Sequence, residues 1–564
     1  MLKRFFGKIG IAEVLLFISV LILIVVVAVP VLLILWTALF VDGSLNTKDI
    51  IHILSQPGTY EALKNSLVIA GGVTVLSTII GVFFAWLVSR TDLPFKETMK
   101  VLFLVPFMLP SFIGALAWKM LLSPRSGYIN KFLVDIFSLD ASPFNIYGLG
   151  GIIAVETMYL FPFVFIQVAG ALERMDPTLE ESARISGAGL LTITRRITLP
   201  LMLPGIAAGA LLVALYSLAH FGVPAILGTE SGIYNIPTKI YEQIYQSGGS
   251  FVAIRTGTIL SSILIVAAGL ILYAQNLVLR AGRFQVIAGK SMRPTLLKLR
   301  GLKIPILIFS LLYIFITVIL PTATIFLVGT LKTYGIAFTW ENMSLQNLKY
   351  ILFDWRMTRD AIWNSFYLSL AAAMITMVVG VLISYTIVKM KVRGKFILEF
   401  LGVLPFSVPG TVIALGVILT WSGKFGINLY NTAWIIFVAY IARYMAFSLK
   451  SNSAALEQVD DSLEEAARAC GATHWQSLRD IVIPLIKPGM VAAFFLIFLP
   501  ALRELTTSVL LYGPTTRTIG VAIYALNEDG ETVYAATLAS VALVIIIVGQ
   551  LVIKRITRTT VQGV

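Results

Sequence analysis

About twelve long apolar stretches constrain this chain more than any other feature. They lie near residues 14–40, 62–89, 99–122, 148–171, 204–228 and 252–279, and again near 304–330, 361–389, 397–422, 430–450, 487–512 and 535–556. A bilayer core of about 30 Å takes roughly 20 apolar residues per helical span. Lipid leaves only helices and closed barrels with a satisfied backbone. The runs here are continuous rather than alternating over about ten residues, so helices are expected and barrel strands are not. Composition agrees: 58% of residues are hydrophobic and 13% charged, with a mean hydropathy of +0.90, too apolar for a soluble enzyme. The expected fold class is therefore an all-α membrane protein of about twelve transmembrane helices.

The net charge of +14 reads as topology, not as a nucleic-acid surface. Basic residues collect in alternate short loops: Lys3, Arg4 and Lys8; Arg90, Lys96 and Lys100; Arg280, Arg283, Lys290, Arg293, Lys298, Arg300 and Lys303; Lys389, Lys391, Arg393 and Lys395; Lys554, Arg555 and Arg558. The positive-inside rule puts these loops and both termini in the cytoplasm. The first span is too long, and lacks the small-residue cleavage site, for a signal peptide, and is expected to be retained. The lone cysteine, Cys470, excludes an internal disulfide and reads as a small packed residue.

One unit is written twice. Asn65-Ser66-Leu67 recurs as Asn364-Ser365-Phe366 and Val105-Pro106-Phe107 as Leu404-Pro405-Phe406, both offset by 299. Glu180-Glu181-Ser182-Ala183-Arg184 recurs as Glu464-Glu465-Ala466-Ala467-Arg468, and Pro200-Leu201 as Pro484-Leu485, offset by 284. The change of 15 is expected in the loop 123–146, longer than its partner around 422–431. Six spans per copy, an even number, make a parallel repeat about an axis along the membrane normal. The boundaries expected are 1–279 for the first half, 280–303 for a basic cytoplasmic linker and 304–564 for the second half.

Between the fourth and fifth span of each half lies the most informative segment. It reads Glu181-Ser182-Ala183, then Gly187, then Ile197 and Leu199-Pro200; in the second half, Glu465-Ala466-Ala467, Gly471, Ile481 and Ile483-Pro484. Local chemistry predicts a short helix, with Asp176 capping it, Pro177 at its first position, Glu180 and Glu181 in the first turn and Gly187 at its end. Asp460, Glu464, Glu465 and Gly471 repeat the design.

This doubled segment resembles the EAA loop of type I ATP-binding-cassette importer permeases. The resemblance implies that fold, as two parallel six-helix repeats, and an inner-membrane, multi-pass location in a prokaryote. It also implies partners: two copies of a cytoplasmic ATPase, an extracytoplasmic substrate-binding protein and the lipid bilayer, with no nucleic acid. Glu180, Glu181, Arg184 and Gly187, with Glu464, Glu465, Arg468 and Gly471, are the residues expected to couple to the ATPase. Because the two loops differ in sequence, Gly187 and Gly471 are expected to contribute unequally. Arg184 and Arg468 also stand where they would pair with Glu181 and Glu465 along a solvated helix, the plainer reading. No cofactor is expected in this chain, and ATP with magnesium is expected on the partner ATPase. A phosphate-binding loop needs a glycine where Phe284 precedes Gly289-Lys290-Ser291, and no catalytic motif stands out, so the chain is expected to be a transport subunit and not an enzyme.

Ionisable residues inside spans are costly, which singles out Lys119, Glu156, His220, Arg443, Arg503 and Glu504. The 284 offset places His220 over Glu504 and Tyr159 over Arg443. His220, Glu504, Glu156 and Arg443 are the candidates for the substrate path, with His220 and Glu504 facing each other across it; interhelical hydrogen bonding is the alternative. Pro106, Pro110, Pro405 and Pro409 are expected to break the third span of each half. The segments 217–228 and 503–511 are similar to fused permeases of the ferric-iron family, over nearly the whole chain. Similar fused permeases serve thiamine, aminoalkylphosphonates and sugar phosphates, and relatives serve polyamines. No metal site is assigned, since the spans hold few carboxylates for a hard cation. Outside this class stand a secondary transporter, also of about twelve spans, and a membrane scaffold or channel. Neither accounts for one loop motif written twice.

Overall fold

A computed structural model describes residues 11–41, 43–246, 248, 250–281, 296–390 and 394–561. Lys3, Arg4, Lys8, Arg283, Lys290, Arg293, Lys391 and Arg393, and the Gly289-Lys290-Ser291 segment with Phe284, lie outside the described residues. Among those described, ten helices are long and apolar enough to cross a membrane, and two bent helix pairs bring the number to twelve. The first bent pair, Lys96–Met108 and Ser111–Leu122, turns by 89°. Pro110 sets this break: it has no N–H to continue the ladder and holds Leu109 extended ahead of it. Pro409 occupies the same place ahead of Gly410–Trp421.

The fifth span of each half differs from expectation. It begins well before residue 204, as the helix 191–218, and it ends at Leu218, with the second copy running from 475 to Leu502. The apolar stretch beyond, to 228 and to 512, is a turn followed by a short helix, Gly222–Leu227 or Ser508–Leu511. An apolar run without periodicity does not distinguish a helix from a buried turn. The early starts pass through π-helical turns at Thr194–Thr198 and Leu478–Val482, equivalent positions in the repeat.

Two compact units interleave along the chain. One comprises Leu54–Lys239 and Val266–Met343; the other comprises Met1–Ile53, Ile240–Ile265 and Ser344–Val564. In the first, Pro57–Arg90 packs on Leu149–Arg174 and Leu199–Leu218. A Cβ at Gly81 would stand 2.7 Å from Val164 and 3.0 Å from the backbone of Phe161 and Phe165. Tyr313 packs against Phe84 and Phe161, with ring centroids 4.9 and 5.4 Å away.

In the second unit Arg356–Val388 packs on Ala433–Leu456 and Ile483–Leu502. Gly380, equivalent to Gly81, lies against Ser448. Small residues at such crossings let helices approach where lipid supplies no hydrophobic drive. Val29–Leu39 packs on Gly410–Trp421, where a Cβ at Gly416 would be 2.8 Å from the Pro30 carbonyl. The copies as written and the units as packed thus differ by an exchange of first spans, and Ile240–Ile265 of the first copy also falls in the unit of the second.

The extra length in the loop 123–146 is a helix, Tyr128–Phe137. Buried Asn130 fastens it by donating to the carbonyls of Leu122, Ser123 and Phe144 at 3.0, 3.1 and 2.8 Å. The partner loop closes instead through a short bridge between Ser422 and Asn428.

Candidate functional site: two capped loop helices and two buried polar clusters

The two loop helices form as their caps dictate. The first spans Thr178–Ile185; Asp176 accepts from the Thr178 amide at 2.9 Å, and Pro177 sits one position earlier than expected, at the cap. The second spans Asp461–Ala469; Asp460 accepts from the Ser462 amide at 2.8 Å. That backbone hydrogen bond holds the Asp460 carboxyl below the usual carboxylate range.

Both helices end in one motif. The Gly187 amide reaches the Arg184 carbonyl at 2.9 Å and the Ala188 amide the Ala183 carbonyl at 3.0 Å; Gly471 to Arg468 and Ala472 to Ala467 repeat these bonds at the same distances. Gly187 has φ +83° and Gly471 φ +88°, the left-handed conformation that this ending requires.

The two glutamates of each motif divide between the sides of the helix. Glu180 is 5% exposed and Glu464 4% exposed, while Glu465 is exposed and Glu181 half-buried. Arg90, itself buried at the end of Pro57–Arg90, places Nε 3.2 Å from Glu180 Oε2 and donates from Nη2 to the Leu172 carbonyl at 3.1 Å. Thr198, in the π-helical turn, donates to Glu180 Oε1 at 2.6 Å. The second copy has Val482 where the first has Thr198, and solves the problem differently: Tyr385 donates to Glu464 Oε2 at 2.7 Å, and half-buried Lys389 lies 2.5 Å from Asp461. Glu180 and Glu464 thus tie each helix to the second span of its half, Pro57–Arg90 or Arg356–Val388. Around them Leu179, Ile185 and Leu191, and in the second copy Leu463 and Trp475, stand exposed. Arg468 donates from Nε to the Glu464 carbonyl at 3.3 Å.

Open clefts flank both helices. One of about 500 Å³ is lined by Arg90, Lys96, Lys100, Glu173 and Pro177. One of about 560 Å³ is lined by Gln458, Asp460, Leu463 and Pro488.

Of the candidate path residues, His220 and Glu504 sit in the turns that end the fifth spans, whereas Glu156 and Arg443 lie on the fourth spans. In the first unit Glu156, fully enclosed, accepts from Ser217 Oγ at 2.5 Å. His220 Nδ1 stands 2.9 Å from Glu156 Oε1, close enough for an ion pair though not aligned as a hydrogen bond, and its Nε2 is 2.8 Å from Ser111 Oγ. In the second unit Glu504 accepts from the Thr507 amide at 2.8 Å and from Tyr444 at 2.7 Å, and Arg443 Nε lies 3.2 Å away. The four candidates therefore form two pairs, His220 with Glu156 and Arg443 with Glu504, each inside its own unit. The polarity is inverted between copies: acid on the fourth span and base on the turn in one, base on the span and acid on the turn in the other. Lys119 pairs with Glu230.

The repeated Asn-Ser pair has a role that sequence reasoning missed. Ser66 Oγ accepts from the Ile236 amide at 2.8 Å and Asn65 donates to the Tyr234 carbonyl; Ser365 accepts from the Ile519 amide at 2.7 Å and Asn364 donates to the Thr515 and Arg517 carbonyls. Each pair clamps the segment that follows a polar turn, and Asn235 continues the clamp to the His220 carbonyl at 2.8 Å. Its recurrence at the 299 offset was the available signal.

Residues 77–282 and 377–562 each match the family described as binding-protein-dependent transport system inner membrane component. The chain belongs to this family. It is a permease, with the family's domain present twice in one polypeptide and fused end to end. A ferric transport system permease protein of Actinobacillus pleuropneumoniae is 28% identical over 514 residues, covering 90% of this chain and 73% of that relative. A putative ferric transport system permease protein of Haemophilus influenzae is 28% identical over 488 residues, covering 86% and 75%. A putative 2-aminoethylphosphonate transport system permease protein of Salmonella paratyphi A is 27% identical over 199 residues, covering 35% of this chain and 75% of the relative. The permease is a multi-pass membrane protein, and membership of a binding-protein-dependent system removes the ground for a secondary transporter.

Proposed function

We propose that this permease imports ferric iron, driven by two copies of a cytoplasmic ATPase and supplied by an extracytoplasmic binding protein. The carrying observation is the pair of complete docking helices, capped by an aspartate, ended by a glycine and anchored by a buried glutamate at equivalent places. Each is a rigid knob locked to its unit, so closure of the ATPase pair moves the spans and not just the loops. Glu181, Arg184 and Gly187, with Glu465, Arg468 and Gly471, are the docking residues; Glu180 and Glu464 transmit force inward. ATP and magnesium bind the ATPase, this chain performs no hydrolysis, and both termini face the cytoplasm.

Likeness to ferric permeases over most of the chain supports iron as the cargo. Ferric iron uptake is therefore expected to disappear from cells lacking this chain when binding protein and ATPase are retained. Unchanged uptake would refute the iron reading. The partial match to a phosphonate permease makes 2-aminoethylphosphonate the next cargo to test.

A further inference from the structure

Charge is divided unevenly between the enclosed and accessible sides of the two polar clusters. In the first, the Glu156 side chain is 0% exposed and that of His220 17%; in the second, Glu504 is 7% exposed and Arg443 24%. The carboxylates face inward and their nitrogen partners reach outward. A guanidinium turned to hydrocarbon is costly, so the partly exposed Arg443 side chain suits a water-filled face better than a lipid-facing one. In the first unit the equivalent turn carries an imidazole, 2.8 Å from the half-buried Ser111 hydroxyl.

Ferric iron is a hard cation that demands oxygen ligands. Both carboxylates already serve other groups. Glu156 holds Ser217 and faces His220, while Glu504 holds Tyr444, the Thr507 amide and Arg443. Drawing Glu504 onto a metal would strip Arg443 of its counter-charge inside the membrane. A bare trivalent cation would instead meet Arg443 first and be repelled. A guanidinium suits the opposite charge, since its planar fork matches carboxylate and phosphate oxygens.

We infer that the cargo passes as an oxyanion complex of iron, bringing its own oxygen ligands, and that Arg443 recognises the anion. The inference rests on the ferric reading above and adds to it the chemical form of the cargo. Arg443 is held for this task by Glu504 and by a glycine: a Cβ at Gly410 would collide with Arg443 Nη1.

The test uses proteoliposomes containing the complete importer, with the binding protein loaded with radiolabelled ferric iron and radiolabelled phosphate or citrate. Anion label is expected to enter with iron in a fixed ratio. Replacing Arg443→Gln together with Glu504→Gln removes the cation without stranding a carboxylate, and is expected to lower entry of both labels about tenfold or more; Arg443→Lys, which keeps the charge but loses the planar fork, should retain only part of it. Iron entering while both anions stay outside would overturn the inference and leave the ferric reading intact, and this arm needs no variant. Entry of 2-aminoethylphosphonate with no entry of iron would overturn the ferric reading and this inference with it.

Discussion

Glu180 and Arg90 show how one buried pair fixes a loop helix to a membrane span. Both side chains are nearly enclosed, and each has a second partner, Thr198 and the Leu172 carbonyl. Removing one member of such a pair leaves a buried charge unbalanced, at a cost of about 3–5 kcal/mol. Arg90→Ala is therefore expected to lower unfolding stability by that order, whereas Tyr385→Phe, which removes one neutral donor from Glu464, should cost about 1.5–3 kcal/mol. Denaturant unfolding of the purified permease in detergent would compare them, and equal losses would contradict the anchoring scheme.

Gly187 and Gly471 share one conformation, and an added Cβ meets nothing within 4 Å at either. The backbone cost of Gly→Ala should then be about 1–2 kcal/mol at both. A difference in ATP consumed per transported ion would report unequal contact with the ATPase; unequal unfolding stability would contradict the shared geometry. For Asp460 the sign follows from its lowered pKa. The cap contributes above the unfolded carboxylate value and is lost as pH falls through the lower folded value. The protection of the Ser462 amide against hydrogen exchange, taken relative to its intrinsic rate at each pH, should hold above about pH 4 and fall in stronger acid.

At the scale of elements, the broken third spans and shifted fifth spans place the chemistry. Ser111 and Gly410 each follow a proline break and pack beside a polar turn. Gly410→Ala is expected to push Arg443 away from Glu504 and to reduce uptake more than it reduces protein level; unchanged uptake would show that the pair tolerates displacement. The breaks at Pro110 and Pro409 were legible, because proline has no N–H and acts through local sterics, whereas Pro106 and Pro405, expected to break the spans too, lie inside Lys96–Met108 and Lys395–Ser407 without ending them. The docking helices were legible for a like reason: Asp176, Asp460, Gly187 and Gly471 act on their own backbone neighbours. The ends of the fifth spans were not, because residues 219–228 are as apolar as a span and their departure from helix follows from tertiary bonds such as Asn235 to the His220 carbonyl. The inward turn of Glu180 was hidden for the same reason, since Arg90 lies 90 residues away.

For the whole molecule, the repeat explains both the economy of the design and its asymmetry. Equivalent positions keep the packing glycines, the Asn-Ser clamps, the π-helical turns and the docking helices, while they exchange the chemistry at Glu180 against Glu464 and at His220 against Glu504. The exchange of first spans was invisible in the sequence, because an all-round apolar helix does not name its neighbour. The central claim is that ATP, working through two anchored docking helices, moves cargo across the membrane. Proteoliposomes holding this permease, its ATPase and an iron-loaded binding protein test it directly. Iron should accumulate only with ATP and persist when ionophores collapse proton and sodium gradients. Accumulation without the ATPase, driven by an ion gradient, would contradict the account.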